Sequence, residues 1–276
     1  KYFCLNRDRI IKNKEFHSLK FLRNISKTHL VNFIQISLIF YLIILNLFHL
    51  NTGLADNGDF SRVVNWFSSK PTGFQENWPL PGTADYELRF FNYWLPYWDF
   101  DFPKQGSVIS STIILWLPGL FLNGLIYSNQ QLFLPIITIF PRFLIILFLW
   151  IILKWISRNR HKLLLTLTIG IPYVLIFTST DYIAYFNSFY QELGSLIFVL
   201  LLIITLVKVI ASPQKKFPVL IFGIVGLLLT TSKASNLIWV PILMLFFIYL
   251  AINRKKFLFY FSFSIKIGRA SCRERV

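Results

Sequence analysis

Apolar residues run along this chain in long, unbroken stretches separated by short polar punctuation. The stretches are Val31 to Leu50, Leu132 to Leu153, Leu163 to Thr180, Leu193 to Ala211, Phe217 to Thr231 and Leu237 to Ile252, and another opens at Phe257. Crossing a hydrocarbon core of about 30 Å takes roughly 20 helical residues. The pattern predicts an all-α polytopic membrane protein with about six to seven transmembrane helices. Between the first two stretches, residues 51–131 form a long loop. Within it "SVISSTIILWLPGLFLNGLIY" (Ser107 to Tyr127) is apolar but opens on Ser and Thr and is broken by Pro118-Gly119.

Composition agrees with the pattern. The 276 residues are 55% hydrophobic and 18% aromatic with 14% charged, which excludes an ordinary soluble domain. A formal charge of +16 raises nucleic acid as a partner, but the distribution excludes it. Lys1, Arg7, Arg9, Lys12, Lys14, Lys20, Arg23 and Lys27 precede the first apolar stretch; further basic clusters sit in the short loops "KWISRNRHK", "SPQKKF" and "NRKK", while Arg62, Lys70, Arg89 and Lys104 are scattered among acids in loop 51–131. No single basic domain exists to hold a nucleic acid. Short basic loops beside spans are cytoplasmic by the positive-inside rule.

That rule orients the chain. The basic segment 1–30 is cytoplasmic, the first span exits, and loop 51–131 lies outside. Its acids are Asp56, Asp59, Glu76, Asp85, Glu87, Asp99 and Asp101. If Ser107 to Tyr127 crossed the membrane, "KWISRNRHK" would fall outside, so that stretch is expected to lie along the outer surface or to dip in and return. All three later basic loops then fall inside. The outer face gathers loop 51–131, the turn "STDYIAYFNSFYQE" (Ser179 to Glu192) and "TTSKASN" (Thr230 to Asn236), which are expected to converge on one cavity.

Each outer segment offers chemistry. Asp56 and Asp59 stand three apart in "ADNGD" and can aim both carboxylates at one point, as a general base and its partner or as oxygen ligands for a divalent metal. Asp59 can equally be an Asx-turn or N-cap residue for a helix starting near Phe60. Asp181, Tyr182, Asn187 and Glu192 combine aromatic faces with carboxylates and an amide, the surface a sugar needs; aromatic residues there also serve as membrane-belt anchors. Lys233 either snorkels to the interface or neutralises a phosphate. Arg142, inside the second span, is costly in lipid and so is a functional candidate, or else a partner for a nearby carbonyl or carboxylate. The four histidines show no metal-ligand spacing, and no Gly-rich phosphate loop, nucleophile elbow or CxxC motif occurs.

The arrangement resembles the GT-C superfamily of integral-membrane glycosyltransferases, including protein mannosyltransferase-like and aminoarabinose transferase-like enzymes. "ADNGDFSRV" occupies the place of that superfamily's acidic motif, "FPRFLIILFLWIILKWI" is similar to its Arg-Leu-Pro-led second span, and "GLLLTTSKASNLIWVPIL" to its "GL…TKGP…P" segment. The acidic pair here is Asp-Asn-Gly-Asp rather than Asp-Glu, the Lys-Pro-Pro before the surface helix is missing, and Ala234-Ser235 replaces Gly-Pro after the lysine. The resemblance implies transfer of a sugar from a polyprenyl-phosphate carrier to an acceptor at the outer face of a bacterial inner membrane, with inversion. It implies Asp56 as base, Asp59 as its partner or metal ligand, and Arg142 and Lys233 at the carrier phosphate. Asp181, Tyr182, Asn187 and Glu192 would contact sugar or acceptor. The rival reading is a non-catalytic membrane protein, a transporter subunit or an assembly factor for surface polysaccharide; gathering of polar residues at one face, with no internal repeat, favours the enzyme.

The domain expectation is a GT-C-like transmembrane region over 31–266 and a foreign tail over 267–276. "IGRASCRERV" reads as sequencing-library adapter translated in frame, so the natural chain is expected to continue past Lys266. Without that tail, which holds three Arg and one Glu, +16 becomes +14, and Cys4 stands alone with no disulfide to form.

Overall fold

A computed structural model describes residues 28–54, 60–64, 66–74, 79–91, 95–100, 110–127, 131–212 and 215–252. Asp56, Asp59, segment 1–27 and the adapter-like tail lie outside the described residues. In chain order the elements are α1 (Thr28–Phe48), α2 (Ser61–Val64), β1 (Ser68–Pro71), α3 (Ala84–Phe91), β2 (Tyr97–Phe100), α4 (Thr112–Ile126), β3 (Gln131–Phe133), α5 (Leu134–Ile137) and α6 (Ile139–Ile156). They continue through α7 (Lys162–Leu165), a π-helical turn (Thr166–Gly170), α8 (Ile171–Phe177), α9 (Thr180–Phe186), α10 (Glu192–Ala211), α11 (Lys216–Ser232), a 3-10 turn (Ala234–Ile238) and α12 (Trp239–Ile252).

The protein is an integral membrane protein built from apolar helices, with a small three-stranded sheet among the described residues. Helices α1, α6 and α10 are long and apolar enough to cross a bilayer, and the bent pair Lys162–Phe177 and Thr180–Phe186 makes a fourth if it counts as one span. Their outward positions carry large apolar side chains, as lipid requires: Phe33 is 70% and Phe48 75% exposed. Helices α4, α11 and α12 are apolar but shorter. At 15 residues α4 rises roughly 22 Å, less than the hydrocarbon thickness.

Two apolar stretches do not form the single helices expected of them. Leu132 to Leu153 is divided: Gln131–Phe133 becomes a strand, α5 follows, and only from Ile139 does a long helix run. The cause is backbone pairing. Asn123 of α4 donates to the Gln131 carbonyl (2.8 Å) and accepts from the Phe133 amide (2.8 Å), while the Leu134 amide donates to Pro96 O (2.9 Å). Leu163 to Thr180 contains the π-helical turn and ends at Phe177, beyond which the chain turns by 60°.

The chain divides into two compact units, Lys1–Thr52 with Arg142–Ile183, and Gly53–Pro141 with Ala184–Val276. In the first, polar side chains join helices across apolar surroundings. Gln35 of α1 donates to Thr166 in the π-helical turn (2.9 Å) and accepts from Ser157 after α6 (2.8 Å), and Tyr173 of α8 donates to Ile145 O of α6 (2.8 Å). The Gln35–Thr166 and Tyr173–Ile145 bonds join buried groups and help fix helix register.

The second unit holds the sheet, which loop 51–131 was not expected to contain. Its order is β1-β2-β3, antiparallel throughout, with Ser68 opposite Phe100, Pro71 opposite Trp98, and Trp98 opposite Leu132. Trp98 is fully buried and meets Phe60 and Phe189, which in turn packs edge-on against Trp116 of α4. Aromatic packing of this kind anchors the segment onto the apolar helices. Close approach also matters: a Cβ at Gly119 of α4 would overlap the Ile137 backbone, and one at Gly194 of α10 would overlap the Thr112 side chain.

Gly119→Ala is therefore expected to destabilise the protein by about 1–3 kcal/mol, the usual cost of overpacking. Gly223→Ala, whose new Cβ would meet only the tip of the Phe247 ring at 3.3 Å, should cost less. Thermal unfolding in detergent compares the two, and equal melting temperatures would contradict the packing argument.

Candidate functional site

A polar cluster in the second unit forms where three apolar helices end. In the last turn of α11, Thr230, Thr231 and Ser232 turn their hydroxyls back onto the carbonyls of Leu227 and Leu229 (2.7–2.9 Å), and the helix stops at Lys233, which adopts an extended backbone. The last carbonyls of a helix have no partner within it. Here they are satisfied from the start of α4: Ser110 donates to Ser232 O (2.6 Å), Ser111 donates through its hydroxyl to Leu228 O, and the Ser111 amide donates to Thr231 O (3.3 Å). Asn236, in the 3-10 turn, brings its amide nitrogen to Ser195 Oγ (2.6 Å), Ser232 Oγ (2.8 Å) and Leu229 O (3.2 Å).

Over this neutral floor lies an ion pair. Lys233 Nζ donates to Glu192 Oε1, with the side chains 30% and 34% exposed respectively. Both charges sit where helix ends favour them, the carboxylate in the first turn of α10 and the ammonium just past the end of α11. The arrangement offers one cation and one anion, both reachable from solvent, beside hydroxyls and an amide. It can bind an anion through the lysine and hydrogen-bond a polar ligand through Glu192.

The residues named from sequence are thus distributed over both units. Glu192 and Lys233 are brought together. Asn187, in the same unit, is buried at 3% exposure, and its backbone N–H donates to Ala184 O (3.1 Å). In the first unit, Asp181 is exposed in the first turn of α9, and Tyr182 packs on Phe177 with ring centroids 5.7 Å apart. Arg142, 5% exposed, donates from Nη1 to the backbone carbonyl of Asn46 (2.8 Å) near the end of α1. It caps a helix whose final carbonyls would otherwise face an apolar interior. Asp56 and Asp59 belong to the residues not described. Among the described residues no three His, Cys, Asp or Glu side chains gather as a metal site; the divalent-metal expectation concerns Asp56 and Asp59.

Sequence reading passed over Ser110, Ser195, Ser232 and Asn236. Their signal is local: "ISSTI" and "TTSKASN" place small polar residues directly at the ends of apolar runs, where helix ends need caps. It also passed over Arg89 of α3, fully buried with its guanidinium 5.7 Å from the Trp98 ring and 5.5 Å from that of Phe90. A cation over an aromatic face offsets part of its desolvation.

Compared with known proteins, the chain matches the family description "YfdI N-terminal transmembrane domain" over residues 12–270. No curated protein and no solved structure matches it.

Arg142→Gln is expected to lower the unfolding free energy by about 1–3 kcal/mol, because the Asn46 carbonyl loses a charged donor in a buried place. An unchanged melting temperature in detergent would remove the capping role.

Proposed function

The chain belongs to the YfdI N-terminal transmembrane domain family, and from that footing we propose that it is an integral-membrane glycosyltransferase of GT-C type, using a polyprenyl-phosphate-linked sugar. The observation that carries the reading is the Lys233–Glu192 pair, set over Ser195, Ser232 and Asn236 at the ends of apolar helices. A lipid-linked donor needs such a place: its tail among spans, its phosphate near a cation, its sugar beside hydrogen-bonding groups.

In the proposed reaction an acceptor hydroxyl oxygen attacks the anomeric carbon from the face opposite the phosphate. The anomeric C–O bond to phosphate breaks and its electron pair stays on the phosphate oxygen. The hydroxyl proton passes to the carboxylate of Asp56, with Asp59 orienting that carboxylate, holding a divalent metal, or capping α2. The products are an inverted glycoside and a polyprenyl phosphate carrying one more negative charge than the donor's phosphodiester. Positive charge at Lys233, with Arg142 as the second candidate, stabilises that developing charge. Asp181, Tyr182, Asn187 and Glu192 are the proposed sugar and acceptor contacts. The proposed location is a bacterial inner membrane with the N-terminus cytoplasmic and the reaction at the outer face, as the basic loops indicate.

Asp56→Ala in the full-length protein is expected to abolish transfer, a loss on the order of a hundredfold or more for removal of a general base. Asp59→Ala should be similarly severe only if Asp59 shares the chemistry rather than capping a helix. The check is the glycan profile of membranes from cells expressing each variant at normal levels. Wild-type glycan in both would sink the catalytic assignment and favour the non-catalytic transport or assembly reading.

A further inference from the structure

We infer that the turn joining α6 to the helix Lys162–Phe177 binds the phosphate of an anionic bilayer phospholipid, through Lys154 and Lys162 with Arg158 and Arg160. The inference is independent of the glycosyltransferase reading.

Charge is the first argument. Residues 154–162 carry Lys154, Arg158, Arg160 and Lys162 and no Asp or Glu. Among the described residues none of the four forms an ion pair. The one acid in the described part of the first unit is Asp181, beyond the far end of the Lys162–Phe177 helix, which rises roughly 24 Å. Screening at physiological salt acts over about 8 Å, so Asp181 does not neutralise the turn. Segment 1–27 has no acid to spare, since its eight Lys and Arg outnumber Asp8 and Glu15. At a bilayer surface, lipid phosphates are the concentrated anions that four unpaired cations attract.

Placement is the second argument. A basic turn beside a span can orient a chain without any fixed geometry, but here two ammonium groups are held by uncharged partners. Lys154 Nζ stands 4.6 Å from the ring centroid of Trp150, one turn earlier on α6, and Lys162 Nζ donates to Thr28 Oγ1 at the start of α1 (2.9 Å). Neither a ring face nor a hydroxyl cancels the charge. An ammonium has three donors, so Lys162 keeps two for phosphate oxygens after its bond to Thr28. The helix ends beneath are tied together, because Ser157 donates to Gln35 and Gln35 to Thr166. Arg158 and Arg160 are exposed and add guanidinium groups, whose planar forks match phosphate. Trp150 and Trp155, 47% and 52% exposed just before the turn, are the residue type that marks the boundary between hydrocarbon and headgroup. Cations directly beyond that boundary meet a phosphate whose acyl chains remain beside the helix, which favours a lipid over free phosphate.

The test is photo-labelling of the full-length protein in phosphatidylcholine nanodiscs. A minor fraction of phosphatidylglycerol carries a photoreactive acyl chain, phosphatidylcholine with the same chain is the reference, and adducts are mapped by mass spectrometry. Wild type is expected to be labelled over 150–162 with a preference for the anionic headgroup. The Lys154→Gln, Lys162→Gln double variant should lower that preference by roughly tenfold, at about three- to fivefold for each charge near the surface; the corresponding double Arg variant should retain most of it. Trp150→Leu and Thr28→Val keep every charge and remove only the two tethers, so each should lower it by about two- to threefold. These two carry the test if the double Gln variant fails to fold. Lys215→Gln with Lys216→Gln removes equal charge beside the start of α11 and should leave labelling of 150–162 as in wild type. Equal labelling by both headgroups in wild type would overturn the inference. A Lys215, Lys216 pair as damaging as the Lys154, Lys162 pair would do so too, because the field would then be diffuse rather than a site. Loss of labelling to added inorganic phosphate would assign the turn to free phosphate, and loss to an equal amount of farnesyl phosphate would assign it to a prenyl phosphate; either result overturns the phospholipid site.

Discussion

Apolar surroundings leave a helix end with carbonyls that neither water nor the helix itself can satisfy, and most of the polar placement in this protein answers that constraint. An unpaired buried carbonyl costs about 1–3 kcal/mol, so a run of them at one end would exceed what a single close packing contact returns. At α11 the answer comes from Ser110, Ser111, Ser232 and Asn236. At α1 it comes from Arg142, reaching from the first turn of α6 to Asn46 O. Where two or three helices end together, their caps collect into a polar floor. The candidate site stands on such a floor, so its position follows from the needs of the backbone before any ligand is considered.

What could be read from the chain follows from the range of the forces involved. Helices α1, α6 and α10 were legible because a long apolar run in a membrane protein has few other fates. Strand β3 was not, since Leu132 and Phe133 suit a strand or a helix equally. The choice is made by Asn123, eight to ten positions earlier, and by pairing with β2. The break after Phe177 was hidden for a similar reason: "IFTST" continues an apolar run, and the hydroxyls of Thr178 and Ser179 satisfy the carbonyls of Val174 and Ile176 at the break. Lys233 could be flagged as a lone cation at the end of a run. Its partner could not, because Glu192 stands 41 positions away, on the other side of a helical hairpin.

The two cations nominated for the same phosphate end in different physical situations, and this separates their chemistry. Arg142 is 5% exposed, with a planar guanidinium bonded to a backbone carbonyl that cannot move without its helix. Giving that bond to a ligand would leave Asn46 O buried and without its charged donor, so any ligand would have to offset the cost. Lys233 is a compact charge on a flexible stem, one-third exposed, and its partner is a side chain that water can reach. Exchange of one anion for another costs little there, because the carboxylate released is solvated and rests at a favourable helix end. By burial and by partner, Lys233 is a cation that can exchange one anion for another, whereas Arg142 is held by the backbone it caps.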